Sequence, residues 1–347
     1  MLVLGIETSC DETAAAVVRD TRIVLSNVIA SQHDLHREYG GVVPEIANRA
    51  HVERILPIVD QALADAGVSI NDLDAVAVGN QPGLIGSLLV GVTAAKALAW
   101  SLQIPIIGVD HVHAHLFAPL IDTDLPLESV YPALGLAVSG GHTSLYLCTS
   151  PLELTVLGRT IDDAVGEAFD KTATILGLKH PGGPKIDALA PQGNDRAFDF
   201  PISRLTKDSL DFSFSGLKTA VLYAVRGYPN QSPPPPKLTG ARRADLAASF
   251  QRAAISALTL KLTRALDHLD REGNNVHSIL VGGGVSANSR LRTELTTLAQ
   301  AHDLALHLPE LPYCLDNAAM IAALASIKLT HGFVDDLSLT AIPTTAR

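Results

Sequence analysis

The sequence contains few of the residues that usually fill or cross-link a protein core. Aromatic residues make up 4% of the 347 positions, with two methionines and one tryptophan. Because rings are so scarce, the predicted core is aliphatic, built from the Ala, Val, Leu and Ile of a 47% hydrophobic chain. The three cysteines, Cys10, Cys148 and Cys314, form no Cys-x-x-Cys pair, and this sparse count is typical of a protein in a reducing cytosol.

Positive charge is also in short supply. Lys and Arg number 26 against 36 Asp and Glu, which gives a net charge of −10. This balance argues against a dedicated nucleic-acid binder, because such proteins are usually basic overall. Local basic patches are still possible, with solvated surface charge as the simpler interpretation, and their candidates are Lys218, Arg242, Arg243, Arg290 and Arg292.

Neither a signal peptide nor a membrane span is expected. The N-terminal MLVLGIETSC has no basic region and no small-residue cleavage site, so it is predicted to be a strand. The longest apolar stretch, residues 84–100, contains Lys96, Gly86 and Gly91 and is predicted to be a buried helix. These features favour a cytoplasmic protein.

The length suits two lobes of α/β structure. Repeated β-branched runs, each followed by a glycine turn and an Ala/Leu-rich helical pattern, indicate alternating strands and helices. We expect lobe I at residues 1–128 plus 316–347 and lobe II at 129–315, with a polyproline-like exposed loop at 227–240. An amphipathic helix at 51–67 is expected to pack on the core, and its outer face is a candidate partner surface.

An internal repeat is the most informative feature of the sequence. LGIETSCDET at 4–13 matches LGLAVSGGHT at 134–143, with Leu, Gly, Ser and Thr at the same four places. The match predicts two β-hairpins with equivalent tips, and two unrelated turns are the alternative. Positive φ at Gly140 and Gly141 would let backbone N–H groups converge into an anion nest. Two such tips across a cleft would hold a polyphosphate or an acyl phosphate.

A third glycine signal lies at 278–292, in SILVGGGVSANSRLR. It predicts a strand, a turn at Gly282–Gly284 and a helix beginning near Ser286 or Asn288. The glycines would let a base or ribose approach the backbone, although helix capping by Ser286 also explains the pattern. The order of hairpin, helix, hairpin and glycine-rich strand–helix resembles the actin/Hsp70/sugar-kinase superfamily, in which two duplicated lobes hold nucleotide in a cleft.

The segment HVHAH at 111–115 contains a candidate metal pair. Asp110 is a predicted N-cap, so a helix begins at His111. His111 and His115 are four residues apart and share a helix face, whereas His113 points away. Capping or core histidines are the alternative to a metal pair.

Asp316, at the start of a C-terminal helix, is the candidate third ligand, with an N-cap role as the alternative. Two histidines and one carboxylate leave open coordination positions and suit iron(II) or zinc(II). A zinc protease of the His-Glu type needs Glu directly after the first histidine, and Val112 stands there instead.

Ten motifs together make the chain similar to the bacterial tRNA N6-adenosine threonylcarbamoyltransferases, over about residues 1–330. In chain order they are GIETSCDETAAAVV, YGGVVPEIANRAH, PGLIGSLLVG, DHVHAH, VSGGHT, DDAVGEAFDK, PGGP, FSFSGLK, GGGVSAN and CLDNAAM. The resemblance implies transfer of a threonylcarbamoyl group from threonylcarbamoyl-adenylate to N6 of the adenosine 3′ of the anticodon, in tRNAs that read codons beginning with A. AMP is the second product.

The resemblance also implies residue roles. One divalent metal, iron(II) in the first place and zinc(II) as the alternative, would be held by His111, His115 and Asp316. The donor phosphate or carbamoyl group would be cradled by the backbone amides of Ala137, Val138, Ser139, Gly140 and Gly141.

The nucleoside and the acceptor would be bound by further motif residues. Asp170, Gly183, Asp187 and Asn288 would contact the nucleoside. Asp11, at the first hairpin tip, would orient a water or the incoming amine. Each position also has an ordinary structural interpretation, as a helix end, a solvated carboxylate or a tight loop.

The resemblance implies partners as well: tRNA, a shorter paralogue of the same fold and a small P-loop ATPase. Three other functions remain as alternatives. An ATP-dependent small-molecule kinase of this fold would need a carboxylate-held Mg²⁺, which the histidine pair argues against. The other two are a non-catalytic nucleotide-binding protein and a metalloprotease.

Overall fold

The structure, a computed structural model, describes residues 1–39, 41–203, 205–228 and 235–344. Its contacts divide the chain into two units. Unit 1 contains residues 1–127, 151–153 and those from Pro309 onward, and unit 2 contains residues 128–150 and 154–308. Residues 229–234 of the expected polyproline-like loop lie outside the described residues.

This division differs from the expected lobes in three places: residue 128 belongs to unit 2, and residues 151–153 and 309–315 belong to unit 1. The Tyr313 hydroxyl, in the last of these segments, donates a hydrogen bond to Asp122 Oδ2 at 2.6 Å. Because Asp122 belongs to unit 1, the chain already packs there before Asp316 is reached.

The strands of the described residues form one mixed sheet in each unit. They are β1 (Leu2–Glu7), β2 (Glu12–Arg19), β3 (Ile23–Ser31), β4 (Ala75–Gln81), β5 (Ile106–Asp110), β6 (Ala133–Val138), β7 (Thr143–Cys148), β8 (Leu154–Arg159), β9 (Ser278–Gly282) and β10 (Ala305–His307).

The two sheets have the same topology, which confirms the duplication. The strand order is β3-β2-β1-β4-β5 in unit 1 and β8-β7-β6-β9-β10 in unit 2. In both, the first hairpin is antiparallel and its first strand pairs in parallel with a later one, β1 with β4 and β6 with β9. The two matched sequence segments therefore form equivalent hairpins, as the repeat predicts.

Helices follow the strands in the alternation typical of an α/β protein. They are α1 (His33–His36), α2 (Pro44–Ala66), α3 (Ile85–Leu102), α4 (His111–Phe117), α5 (Leu127–Val130), α6 (Val165–Ile175), α7 (Gly182–Leu189), α8 (Ser215–Arg226), α9 (Gly240–Arg271), α10 (Ser289–Ala301) and α11 (Ala318–Thr330).

Helix α3 is long and apolar enough, by length and composition, to cross a membrane. Only 33% of its residues are buried in the protein, so the expectation of a buried helix is wrong for its outer face. The inner face, with Leu88, Val92 and Ala95, packs into the unit 1 core. Helix α2 begins at Pro44, seven residues before the expected helix, with proline in its first turn.

The cores of the two units differ in composition. In unit 1 the buried cluster around β1, β4 and α3 is wholly aliphatic, as the scarcity of aromatic residues predicts, and Phe117 on α4 is buried outside that cluster. The prediction is wrong for unit 2, where the few rings are concentrated. The buried phenylalanines of that cluster are Phe169, Phe200, Phe212, Phe214 and Phe250.

The glycine turn after β9 requires glycine at one position. Gly283 has a φ of +97°, and a Cβ there would lie 2.4 Å from the Val138 carbonyl oxygen. The turn can therefore pack directly against the end of β6 only if residue 283 has no side chain.

We expect Gly283→Ala to lower the free energy of unfolding by about 1–3 kcal/mol, because alanine is strained at this φ and clashes with Val138. Gly216→Ala is the matched control, since a Cβ at Gly216 in α8 meets nothing within 4 Å. Urea unfolding followed by circular dichroism measures both. Equal stability of the two variants would contradict the packing described for the turn.

Candidate functional site

The tip of the first hairpin is held in place by helix α3. The Thr8 hydroxyl donates to the Ser87 carbonyl at 2.8 Å. A Cβ at Gly83 would lie 2.5 Å from the Ser9 carbonyl oxygen, and one at Gly91 would lie 2.4 Å from Thr8 Oγ1. The PGLIGSLLVG motif therefore serves to let α3 approach the tip.

The histidine pair lies on α4, directly after β5. Asp110 caps the helix as predicted, since its Oδ1 accepts hydrogen bonds from the backbone N–H of Val112 at 2.8 Å and of His113 at 3.1 Å. The His111 and His115 rings contact each other edge to face, with centroids 4.6 Å apart. The predicted shared face is thus confirmed.

Asp316 faces both imidazoles. Its Oδ1 lies 3.0 Å from His115 Nε2 and 3.5 Å from His111 Nε2. The alternative role as an N-cap is wrong, because Asn317 caps α11 by accepting from Met320 N–H at 3.0 Å.

Glu7, at the end of β1, is a site residue that the sequence analysis missed. Its side chain is fully buried, and its Oε2 lies 3.1 Å from His111 Nδ1. Its Oε1 accepts from Ser9 N–H at 2.5 Å. A carboxylate at Nδ1 fixes the imidazole tautomer and leaves Nε2 with its lone pair for a metal. A charged residue ending an otherwise apolar strand was the available signal.

The three predicted ligands fit a divalent metal. Their donor atoms lie within 4.8 Å of one another. Burial lowers the pKa of His111, but the carboxylates of Glu7 and Asp316 outweigh it and raise the pKa to about 9. Burial lowers the pKa of His115 despite its hydrogen bond to Asp316. A cation among these atoms would replace the proton that His111 otherwise holds between two carboxylates.

The tip of the second hairpin differs from the prediction. Neither Gly140 nor Gly141 has a positive φ, so the expected nest of left-handed glycines is wrong. The Ser139 N–H donates to the His142 carbonyl at 2.8 Å. This bond uses one of the five backbone amides that were predicted to bind the phosphate or carbamoyl group. Chain reversal is achieved instead by the Ser139 hydroxyl, which accepts from His142 N–H at 3.1 Å.

This second tip packs against the start of α6. Gly166 N–H donates to the Ser139 carbonyl at 3.2 Å, and Val165 N–H donates to Thr143 Oγ1 at 2.8 Å. The amides of Ala137 and Val138 lie at the end of β6, beside the Gly283 turn.

The predicted nucleoside residues belong to helices α6 and α7 and to the cap of α10, and hydrogen bonds link these helices to one another. Asp170, on α6, accepts from Gly182 N–H at 2.6 Å, which places the adjacent Gly183 at the start of α7. A Cβ at Gly183 would meet nothing within 4 Å. Asp187, also on α7, accepts from Ser289 N–H at 3.1 Å and from Ser289 Oγ at 2.8 Å.

Asn288 caps α10. Its Oδ1 accepts from Leu291 N–H at 3.0 Å, and its Nδ2 donates to Gln251 Oε1 at 3.1 Å. The sequence left open whether Ser286 or Asn288 caps this helix, and in the structure Asn288 is the N-cap. Asn288 retains a second amide hydrogen for other contacts.

The FSFSGLK motif, which had no assigned role, joins the core to an acidic loop. Phe212 and Phe214 are buried, and the serines between and after them face Asp162. Asp162 accepts from Ser213 Oγ at 2.5 Å and from Ser215 Oγ at 2.7 Å. Burial raises the pKa of Asp162, but these hydrogen bonds outweigh it and lower the pKa below its usual value.

Four of the five candidate basic residues make contacts inside unit 2. Lys218 pairs with Asp163 at 2.5 Å, and Arg290 pairs with Asp195 at 2.8 Å. Arg242 donates to the Ala224 carbonyl at 2.9 Å and Arg292 to the Ser286 carbonyl at 2.8 Å.

The duplicated sheets define a member of the actin-like α/β class, and two histidines and one carboxylate form a candidate metal site in it. Solved structures support this fold. HypF from T. kodakarensis has a TM-score of 0.57 at 15% identity and covers 95% of this chain and 48% of its own. Component A of (R)-2-hydroxyglutaryl-CoA dehydratase from Acidaminococcus fermentans has a TM-score of 0.51 at 13% identity, over 95% of this chain and 99% of its own.

A family model described as tRNA N6-adenosine threonylcarbamoyltransferase matches residues 23–323. A protein of that name from Trichlorobacter lovleyi is 50% identical over 99% of this chain and 96% of its own. Another from Rhodopirellula baltica is 50% identical over 92% of this chain and 90% of its own. The chain belongs to the tRNA N6-adenosine threonylcarbamoyltransferase family. It is therefore a tRNA-modifying transferase, and the kinase and protease alternatives fall away.

We expect His111→Ala and His115→Ala each to lose bound metal while the fold survives, because each removes one donor from a three-donor site. His113→Ala is the matched control on the same helix and should retain the metal. Elemental analysis after gel filtration gives the metal content, and circular dichroism monitors the fold. Metal retained by the His111→Ala/His115→Ala double variant would contradict the assignment.

Proposed function

We propose that a metal bound by His111, His115 and Asp316 serves the transfer of threonylcarbamoyl from its adenylate to tRNA N6-adenosine. The observation that carries the proposal is the approach of both Nε2 atoms to one Asp316 oxygen, at 3.0 and 3.5 Å. Two imidazoles and a carboxylate favour iron(II), with zinc(II) as the alternative. When bound, such a metal supplies a Lewis acid that stabilises negative charge on a phosphate or carbonyl oxygen.

The reaction is a group transfer onto nitrogen. The adenosine N6 bonds to the carbamoyl carbon, the bond from that carbon to the phosphate oxygen breaks, and AMP leaves with the electron pair. N6 gives up one proton, which passes to the phosphate of the departing AMP. We assign Asp11 to orient the amine, since a carboxylate at the hairpin tip can accept a hydrogen bond from N6–H. Asp11 is 7% exposed, which restricts competing water.

We assign the nucleoside of the donor to the second hairpin tip and its neighbours. Asp170 and Asp187 supply carboxylates for ribose hydroxyls, and Gly183 leaves open space beside them. The second amide hydrogen of Asn288 can reach the adenine or ribose. Of the predicted amides of Ala137–Gly141, that of Ser139 donates to the His142 carbonyl, and Ala137 and Val138 pair within the sheet. We therefore assign the phosphate or carbamoyl group to the amides of Gly140 and Gly141.

We expect Asp170→Ala to weaken AMP binding by about 1–3 kcal/mol, because a ribose hydrogen bond to a charged group is lost. Asp208→Ala, an exposed position of the same unit, is the control and should leave affinity unchanged. Calorimetric titration of AMP measures both. Unchanged affinity in Asp170→Ala would place the ribose elsewhere.

Partners are proposed for two reasons. A net charge of −10 makes unaided tRNA capture weak, because phosphate contacts dominate such affinity. Unit 1 also exposes two apolar pairs at helical spacing, Val52 and Leu56 on α2 and Ile85 and Leu89 on α3. The two helices meet where the Ser87 hydroxyl donates to Asn48 Oδ1 at 2.9 Å, four residues before Val52 on α2 and two before Leu89 on α3.

We assign this apolar surface to the shorter paralogue of the same fold, whose helices would bury it by antiparallel packing. A small P-loop ATPase completes the set of partners, and a separate synthase supplies the adenylate. The site of action is the cytoplasm, where tRNA and adenylate are available.

We expect the isolated protein to perform at most about one turnover, and the paralogue and ATPase to restore cycling. Leu56→Asp should abolish association with the paralogue, since it places a charge in an apolar contact. Glu53→Gln, exposed on the same helix, should not. Size-exclusion chromatography and mass analysis of tRNA nucleosides are the measurements. Multiple turnovers by the isolated chain at physiological salt would refute the partner requirement.

A further inference from the structure

Unit 1 contains a second group of possible metal ligands, distinct from the histidine pair. Asp11 and Glu12 follow the first hairpin tip, and His33 begins α1. Their donor atoms all lie within 4.8 Å of one another. His33 Nε2 is 3.4 Å from Glu12 Oε1 and 4.0 Å from Asp11 Oδ2.

The fold itself brings these three residues together. Glu12 and Ser31 are partners in the β2–β3 register. Just beyond this pair, Gln32 N–H donates to the Asp11 carbonyl at 3.0 Å. The Ser31 hydroxyl then accepts from His33 N–H at 3.2 Å. The imidazole is therefore placed beside the two carboxylates by backbone pairing.

The backbone of the tip is clamped, so the two carboxylates cannot separate easily. The Cys10 carbonyl accepts hydrogen bonds from His51 Nε2 at 3.0 Å and from Ser87 Oγ at 3.3 Å. His51 is fully buried, and its Nδ1 lies 2.9 Å from Thr13 Oγ1. These bonds fix the residues on both sides of Asp11 and Glu12.

The local charge is unbalanced. Asp11 and Glu12 are 7% and 8% exposed, and the carboxylates of Glu7 and Asp316 add to their negative field. Among the described residues, His33 is the one cationic group within ion-pair distance of either. Two buried carboxylates beside one imidazole leave a net negative charge, and buried charges in proteins are paired or coordinate metals.

We propose that Asp11, Glu12 and His33 hold a second divalent cation, of the oxygen-preferring class that includes Mg²⁺ and Mn²⁺. Two carboxylates and one imidazole favour such an ion, whereas two imidazoles and one carboxylate favour iron or zinc. The His33 side chain is 35% exposed, which leaves an entry path. Cation binding at this cluster does not depend on the transfer reaction, and the two oxygens of Asp11 allow one to hold the cation while the other accepts from N6–H.

The test uses the full chain with one equivalent of Zn²⁺ at the histidine pair, titrated with Mn²⁺ and followed by the electron paramagnetic resonance signal of free Mn²⁺. We expect one Mn²⁺ to bind per chain while Zn²⁺ stays bound. Glu12→Gln should weaken Mn²⁺ binding by about tenfold or more and keep the Zn²⁺, because a charged ligand is lost. Glu53→Gln, an exposed glutamate on α2, should bind Mn²⁺ as the wild type does.

Three results would overturn the proposal: no Mn²⁺ bound in the millimolar range, release of Zn²⁺ as Mn²⁺ binds, or unchanged binding by Glu12→Gln. Circular dichroism checks that each variant folds. If Glu12→Gln does not fold, His33→Gln is tested in its place, since the His33 side chain is partly exposed and its replacement is easier to accommodate. Unweakened Mn²⁺ binding by that variant would equally exclude the site.

Discussion

The buried contact between Glu7 and His111 is the interaction on which the unit 1 site depends. A fully buried carboxylate is costly unless it is bonded, and Glu7 has Ser9 N–H at 2.5 Å and His111 Nδ1 at 3.1 Å as its partners. The bond holds the imidazole so that Nε2 faces Asp316. It also ties the end of β1 to the start of α4, two elements separated by about a hundred residues in sequence.

Duplication placed the same hairpin at the same point of two sheets, but the two tips became chemically different. The first tip begins after the buried Glu7 and leads into Asp11 and Glu12, so it is acidic and suited to cations. At the second tip, Ala137 stands at the position that matches Glu7, and the tip is packed by Gly166 and the Gly283 turn. Small residues at this tip bring backbone groups, rather than carboxylates, to the surface, and such groups suit an anionic ligand.

Much of this could be predicted from the sequence because the signals were local or repeated. The Asp110 cap and the shared face of His111 and His115 follow from helix geometry, and the hairpins follow from the matched segments. What could not be predicted depends on contacts between distant segments. Glu7 contacts His111 only in the folded protein. The N-cap of α11 is Asn317, one residue after the alternative of Asp316. The turn at Gly140 and Gly141 is held by the Ser139 hydroxyl. The aliphatic-core prediction was wrong for unit 2 because composition does not say that five of the eight phenylalanines lie in one core.

The central claim is that His111, His115 and Asp316 bind one metal through both Nε2 atoms and a carboxylate oxygen. X-ray absorption spectroscopy of the protein loaded with one equivalent of Zn²⁺ tests it most directly. The account predicts two imidazole nitrogens at about 2.0–2.1 Å and oxygen at about 2.0–2.2 Å, with no sulfur. A sulfur shell at about 2.3 Å, which would bring in a cysteine such as Cys10 or Cys314, or a shell with fewer than two imidazoles, would contradict it.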